Sequence, residues 1–309
     1  MVEKDEIIDN SGVEKQFNKE QNEWIYNQMA HDYLWNTEIP DSRSLDFTME
    51  PTAFFNRLLS KQDRFSWIGA NYDYVTRSSN DDSTVSFDSI YIIDNKHIGY
   101  AIYDEFYDNA DVRGLAVRMK NGEVNEMVLD LRYNPGGYLE TCKDLASFVV
   151  PTEHLGKLFQ QQRYNDIITE ERAKKYNNAG IDSVFLESGS WYAMWGLNLK
   201  RLFVLTSEDT ASASEALIVG LRPYMEVIVI GTQTCGKDVG SYLIKDNKYK
   251  YQLRPITFKY YNALMQSTPV DGIVPDIIVE NQDSIKRGNT EEPLLQAALK
   301  YIEGQPLIN

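Results

Sequence analysis

Residues 202–241 contain the residue types needed for nucleophilic catalysis without a histidine. A serine-rich turn with Ser212 follows the apolar run LFVLT, and a turn ending at Lys237 follows the next apolar run, VIVI. A serine hydroxyl becomes an effective nucleophile when a base removes its proton, and a lysine whose pKa is lowered by burial can be that base. Ser212 and Lys237 are therefore candidates for a catalytic pair.

Backbone N–H groups near Ser212 can stabilise negative charge during such a reaction. Ser212 precedes a predicted helix, so the Ala213 N–H belongs to the unpaired first turn at the positive end of the helix dipole. The turn Asn134–Gly137 follows the buried run MVLDL and offers a second donor from a glycine loop that permits close approach. Two donors beside one serine would form an oxyanion hole.

The elements that position these residues follow an alternating pattern. SIYII, HIGYAIY, MVLDL, LFVLT and VIVI are predicted strands, and helices are predicted near 109–119, 138–149, 212–222 and 291–302. In a right-handed strand–helix–strand crossover, parallel neighbours end at the same edge of the sheet. The turns of Ser212 and Lys237 should therefore open on one side of an α/β sheet.

The rest of the chain divides into four expected regions. They are a polar flexible leader at 1–18, a helical N-terminal domain at 19–69, a Ser/Asn/Asp-rich linker at 70–88, and a core domain at 89–309. The prediction of a helical domain depends on two apolar stripes. They are Trp24, Ile25, Met29, Tyr33 and Leu34 in the first helix and Phe54, Phe55, Leu58 and Leu59 in the second.

Composition excludes several classes of partner and site. The formal net charge of −15 repels nucleic acid and anionic membrane surfaces, and no apolar run is long enough to span a bilayer. The three histidines form no HExxH zinc motif, so no metal site is predicted. The two cysteines, Cys142 and Cys235, cannot build a disulfide scaffold, although the sequence allows one disulfide bond between them.

Three ordered motifs carry a resemblance to a known family. They are LDLRYNPGGYLE at 129–140, TASASE at 210–215 and GTQTCGK at 231–237. Together they resemble the C-terminal processing peptidases, also called tail-specific proteases. The interval of 25 residues between Ser212 and Lys237 is also usual in that family.

The resemblance implies a serine endopeptidase that cuts proteins or peptides near their C-termini through an acyl-enzyme, on a ClpP/crotonase-like α/β core. It implies Ser212 as the nucleophile and Lys237 as the general base. The oxyanion donors it implies are the backbone of Ala213 and Gly136, with Gly137 as the alternative. It also implies no cofactor, a substrate bound in extended form, and a place in the cell envelope or periplasm, where a full-length precursor can carry a lipid anchor.

The sequence departs from the family pattern in some places. The helical N-terminal pair is similar to that of members from Bacteroidetes envelopes, but residues 70–88 leave no room for the PDZ domain that usually follows. Many relatives have a supporting glutamine four residues after the lysine, where this sequence has Ser241. Glu215 matches a glutamate that some relatives use, and a capping box with Ser212 explains it equally well.

Two other functions fit parts of the sequence. A catalytically silent relative would use the same fold to bind a peptide or a small ligand. Segment 231–238, GTQTCGKD, nearly matches a nucleotide-binding P-loop, which makes ATP binding a remote alternative. In that segment Asp238 stands where Ser or Thr should meet Mg²⁺, and the following VGSYLI predicts a strand instead of a helix.

Overall fold

Two units make up the described chain. The computed structural model describes residues 11–70, 84–107, 109–246, 248, 251–282 and 284–305. Unit 1 takes its residues from Met1–Ser78, Arg163–Ile181 and Val239–Lys259. Unit 2 takes its residues from Ser79–Gln162, Asp182–Asp238 and Tyr260–Asn309.

Helices and strands alternate through much of the described chain. The α-helices are α1 (Ser11–Asp32), α2 (Pro51–Leu58), α3 (Asn109–Asn121), α4 (Leu139–Val149), α5 (Asp166–Tyr176), α6 (Ser190–Trp195), α7 (Ala213–Leu221) and α8 (Pro293–Glu303). The strands are β1 (Trp67–Ala70), β2 (Val85–Ile93), β3 (Lys96–Tyr103), β4 (Glu126–Asp130), β5 (Leu158–Tyr164), β6 (Asp182–Phe185), β7 (Arg201–Thr206), β8 (Glu226–Gly231), β9 (Val239–Ser241), β10 (Ile244–Asp246), β11 (Tyr251–Arg254), β12 (Ile256–Tyr261) and β13 (Ile277–Ile278). Among the described helices, none combines the length and the apolar character needed to cross a bilayer.

The centre of unit 2 is a six-stranded sheet with the order β13-β8-β7-β4-β3-β2. Neighbouring strands from β13 to β3 are parallel, and β2 is antiparallel to β3 at the edge. The inner strands β4, β7 and β8 are almost continuous apolar runs because both of their faces are buried. The sheet confirms the α/β class predicted from the alternating pattern.

Helices cover both faces of this sheet. Leu115 of α3, Leu145 of α4 and Leu217 of α7 are buried in one apolar cluster on the first face. Leu295 and Leu299 of α8 belong to a second cluster on the opposite face. The loops after β4, β7 and β8 leave the sheet at the same edge because these strands are parallel.

Unit 1 contains the predicted pair of N-terminal helices, α1 and α2. Ile25 and Met29 of α1 and Phe54 and Phe55 of α2 are buried in one apolar cluster, which also takes Leu253 from β11. Strands β1, β10 and β11 form an antiparallel sheet in the order β1-β11-β10. The helical N-terminal region expected from the apolar stripes is therefore confirmed.

The limits of the units differ from the expected division of the chain. Helix α1 begins at Ser11, inside the expected leader 1–18, and residues 1–10 lie outside the described part. The expected linker 70–88 ends within β2, and its residues 71–83 also lie outside the described part. Two segments of the expected core 89–309 belong to unit 1. One reason is that Val239, Leu253 and Ile256 are buried in the apolar cluster of that unit.

Candidate active site

Ser212 lies on a strained turn between β7 and α7. It immediately precedes Ala213, the first residue of α7, and it is partly buried. Its backbone angles, φ 58° and ψ −114°, fall in a region that residues with a side chain rarely occupy. Such strain persists only where surrounding bonds hold the backbone, and it concentrates at functional sites.

Asn134 holds the Ser212 turn against the loop that follows β4. Its side chain is fully buried and donates from Nδ2 to the Tyr103 carbonyl oxygen at 2.8 Å. Its own carbonyl oxygen accepts from the Ala211 N–H at 3.1 Å and from the Ser214 hydroxyl at 3.0 Å. One asparagine therefore fixes the chain on both sides of Ser212.

Gly136 lies directly against the Ser212 turn. A Cβ atom placed on Gly136 would be 2.8 Å from the Ser212 Cβ and 2.9 Å from the Ala213 nitrogen. The φ angle of Gly136 is +107°, which also disfavours any residue with a side chain. The two loops approach each other this closely only because glycine stands here.

The candidate oxyanion donors differ in what their N–H groups bind. The Gly136 N–H already donates to Asn134 Oδ1 at 2.8 Å. Gly137 forms a parallel bridge with Phe106 through the groups on either side of it, so its own N–H points away from Phe106. Within the described residues, the N–H groups of Gly137 and Ala213 have no protein acceptor. Of the two glycines, the geometry favours the alternative, Gly137, over Gly136.

The buried carboxylate of Glu215 joins the Ser212 turn to the loop of Lys237. It accepts hydrogen bonds from Ser212 N at 3.0 Å, Thr234 Oγ1 at 2.5 Å, Gly236 N at 2.7 Å and Lys237 N at 2.8 Å. The Ser212 and Lys237 bonds share a single oxygen, Oε2. The structure therefore brings together the backbones of both predicted catalytic residues.

Glu215 thus does more than cap a helix. Its bond to the Ser212 N–H is the reciprocal half of a capping box, as the sequence allowed. Its other three bonds reach a loop about 20 residues further along the chain. Burial raises the pKa of Glu215, although these hydrogen bonds work to lower it.

Tyr260 and Thr210 also hold the Lys237 loop in place through hydrogen bonds. The Tyr260 hydroxyl donates to the Lys237 carbonyl oxygen at 2.8 Å, and the Thr210 carbonyl oxygen accepts from the Cys235 N–H at 3.0 Å. Thr210, Thr234 and Tyr260 were not among the site residues predicted from the sequence. The two threonines stand inside the motifs TASASE and GTQTCGK, which was an available signal, whereas Tyr260 follows no motif.

Ser241 differs from the other candidate residues in its position. It lies in β9, which belongs to unit 1, and pairs with Ile256 of β12. Ser212, Lys237 and the candidate donors all belong to unit 2. The geometry described above is therefore a property of unit 2 alone.

Segment 231–238 lacks the geometry of a P-loop. The N–H groups of Gly236 and Lys237, which would cradle a phosphate, donate to the Glu215 carboxylate. The residues that follow form the strand Val239–Ser241, as the sequence predicted. A carboxylate at this place repels phosphate, and a strand provides no helix dipole to attract it.

Cys142 and Cys235 are not joined by a disulfide bond. Cys142 is fully buried, and its Sγ donates to the Ala213 carbonyl oxygen at 3.2 Å. Burial raises the pKa of this thiol, so little reactive thiolate forms. Cys142 is therefore a packing residue beneath the first turn of α7.

Family comparisons match most of the chain. Residues 97–279 match the model described as "Peptidase family S41", and residues 20–67 match the "Peptidase S41 N-terminal domain". A carboxy-terminal-processing protease of Bartonella bacilliformis is 27% identical over 171 residues, which cover 55% of this chain and 35% of the relative. A carboxyl-terminal-processing protease of Synechocystis sp. is 26% identical over 212 residues, which cover 67% of this chain and 44% of the relative. The chain thus spans less than half the length of these curated relatives.

Solved structures share the fold over nearly the whole chain. A putative S41 protease from Bacteroides fragilis has a TM-score of 0.80 at 23% identity, covering 91% of this chain and 97% of that one. A putative peptidase from Parabacteroides merdae has a TM-score of 0.57 at 16% identity, covering 92% and 96%. At these identities the likeness concerns the fold.

Proposed function

Because the chain belongs to peptidase family S41, we propose that it is a serine endopeptidase that cuts proteins or peptides near their C-termini. One observation carries the proposal most directly. Ser212 occupies a strained turn at the start of α7, beside N–H groups of Ala213 and Gly137 that donate to no acceptor in the described residues. The names of the C-terminal processing relatives support the substrate class.

In this proposal Ser212 is the nucleophile and Lys237 is the general base. The neutral Lys237 amine takes the hydroxyl proton as Ser212 attacks the peptide carbonyl carbon, and it then gives that proton to the departing amine. The acyl group stays on Ser212 until a water molecule, activated by the same amine, releases it. The shared bond of both backbones to Glu215 Oε2 supports this pairing.

The oxyanion of the tetrahedral intermediate is bound by backbone donors. We assign this role to Ala213 and Gly137, whereas the Gly136 N–H is engaged by Asn134. Gly136 instead allows the donor loop to lie against Ser212. Donors of this kind typically contribute about 10²–10³-fold to the rate each.

The substrate binds in extended form. Its main chain pairs, as an added strand would, with the backbone at Gly137. The cell envelope or the periplasm is the proposed location, in line with the resemblance to envelope members. A P-loop function is not proposed, because the Glu215 carboxylate occupies the place of the phosphate.

Labelling with a serine-reactive fluorophosphonate and digestion of casein test the proposal. We expect wild-type protein to be labelled and to cut casein, and Ser212→Ala and Lys237→Ala to lose cutting by at least about 10³-fold. Exposed Ser183→Ala and Lys200→Ala are the matched controls and should keep both activities. Unlabelled, inactive wild-type protein would instead indicate the catalytically silent binding relative.

The pH profile gives a separate test of Lys237. A lysine must be neutral to accept a proton, so the rate should rise towards alkaline pH. A flat profile between pH 6 and 9 would contradict Lys237 as the base.

A further inference from the structure

Two large aromatic side chains stand exposed beside the candidate oxyanion donor. Tyr107 is 58% exposed and Tyr138 is 57% exposed. Their rings contact each other, with centroids 5.5 Å apart and an angle of 32° between the planes. Aromatic side chains that present both an apolar ring and a polar tip to solvent are typical of binding surfaces.

The backbone under these rings is held firmly. The Tyr138 N–H donates to the Phe106 carbonyl oxygen at 2.6 Å, and the Phe106 N–H donates to the Gly136 carbonyl oxygen at 2.9 Å. Phe106 is fully buried and its ring packs 4.9 Å from that of Tyr103. A partner that binds to the two exposed rings therefore meets backbone that is already ordered, which lowers the entropy cost of binding.

The backbone that carries Tyr138 lies close to the Ser212 turn. Tyr138 is the next residue after Gly137 and two residues after Gly136, whose Cβ position would be 2.8 Å from the Ser212 Cβ. Two residues of chain span at most about 7 Å. Tyr107 directly follows Phe106, the bridge partner of Gly137. Both tyrosines are thus attached to backbone that adjoins Gly137, where we propose that a substrate strand pairs.

From this arrangement we infer that Tyr107 and Tyr138 form a subsite for a large apolar or aromatic side chain of the substrate, next to the bond that is cut. The inference rests on the proposed function and deepens it, because it names the side-chain class that the site prefers. A flat ring or a long aliphatic side chain can pack against the tyrosine pair, whereas a small side chain leaves the rings in water.

The test compares peptides that differ in one side chain. Cut sites in casein are located by mass spectrometry, and peptides around one of them are made with Phe or Ala at each position adjoining the cut. We expect wild-type protein to prefer a Phe peptide, and Tyr107→Ala and Tyr138→Ala to lower that preference in kcat/KM by about 10-fold, mainly through KM. The conservative Tyr107→Phe and Tyr138→Phe variants should retain it.

Tyr176→Ala is the matched control, since Tyr176 is 51% exposed and lies on α5 of unit 1. Its Phe-over-Ala preference should equal that of wild-type protein. If both Tyr107→Ala and Tyr138→Ala cut casein yet keep the wild-type preference, the subsite is refuted while the proposed peptidase activity stands.

A binding measurement decides the question if wild-type protein cuts neither peptide. Ser212→Ala protein should bind the Phe peptide about 10-fold more tightly than the Ala peptide, and adding Tyr138→Ala should remove that difference. Equal binding of both peptides to Ser212→Ala protein would overturn the inference independently of catalysis.

Discussion

Glu215 shows, at the scale of the single residue, how one carboxylate can organise a site that has no histidine. A buried carboxylate is costly unless its oxygens accept several hydrogen bonds. Here Oε1 accepts from Thr234 and Gly236, and Oε2 accepts from Ser212 and Lys237. The Glu215 side chain therefore holds the Ser212 turn and the Lys237 loop in fixed positions relative to each other.

Replacing Glu215 by glutamine should disrupt these hydrogen bonds and the arrangement of the two loops. The amide has only one oxygen, so two of the four donors would face its NH₂ group. We expect Glu215→Gln to lower Tm and to reduce kcat by at least about 10-fold, measured by thermal melting and casein digestion. Exposed Glu208→Gln, in the turn before Ser212, is the control and should change neither. Wild-type kcat in Glu215→Gln would show that this carboxylate does not position the site.

Gly136 allows a second prediction at this scale. In Gly136→Ala the new Cβ would clash with the Ser212 Cβ and the Ala213 nitrogen, at a positive φ angle. We expect kcat to fall by about 10²-fold or more, because the donor loop must move away from the serine. Gly189→Ala serves as the control, since a Cβ there meets nothing within 4 Å and φ is −68°. Equal kcat values for the two variants would contradict this account.

A buried ion cluster joins two elements of unit 2 near the candidate site. Arg132, which follows β4, contacts Asp130 at 2.7 Å and Glu292 at 2.8 Å, and the Arg132 side chain is 1% exposed. Glu292 also caps α8, where it accepts from the Leu295 N–H at 3.0 Å. The start of α8 is thereby fixed to the end of the strand that leads into the Asn134–Gly137 loop.

Removing the guanidinium group should destabilise this junction strongly. Arg132→Met leaves Asp130 and Glu292 buried and uncompensated, and the expected loss of unfolding free energy in urea is about 3–5 kcal/mol. Arg118→Met is the control, because its pair with Asp88 is half exposed and worth at most about 1 kcal/mol. Similar losses in both variants would show that the buried cluster has no special role.

Charge is the property that acts at the scale of the whole molecule. Forty-six acidic and 31 basic residues give a formal net charge of −15. Such a field attracts cationic molecules and repels anionic ones, and added salt screens it over a Debye length of about 10 Å at 0.1 M. We therefore expect the field to influence which peptides reach the proposed site, independently of the contacts they make there.

Lysine-flanked peptides should be cut faster than glutamate-flanked peptides of the same core sequence. We expect the ratio of their kcat/KM values to be largest at low ionic strength and to shrink towards unity near 0.5 M salt. A peptide with neutral flanks, measured in parallel, reports any general effect of salt. A ratio that stays constant with salt would show that the net charge does not steer substrates.

Much of the fold was determined by the sequence alone. The apolar runs of β4, β7 and β8 predicted buried parallel strands because both faces of each strand are covered. The alternating pattern also predicted helices near 109–119, 138–149, 212–222 and 291–302, and these helices cover the sheet. The motifs around Gly136, Ser212 and Lys237 fall at the ends of these strands, so their meeting at one edge followed from right-handed crossovers. These features depend on local pattern and on the order of the elements.

Only the tertiary structure decided which groups of the candidate site form hydrogen bonds with one another. It directs the Gly136 N–H to Asn134 and leaves that of Gly137 free of a protein acceptor among the described residues. It extends the bonds of Glu215 beyond its helix, and it places the segment around Ser241 in unit 1. The Gly136–Asn134 bond is local, but the Asn134 side chain that accepts it is held by the distant Tyr103 carbonyl oxygen. The other outcomes depend on contacts between residues far apart in the sequence, and such contacts are set by packing and hydrogen-bond geometry, which no local pattern records.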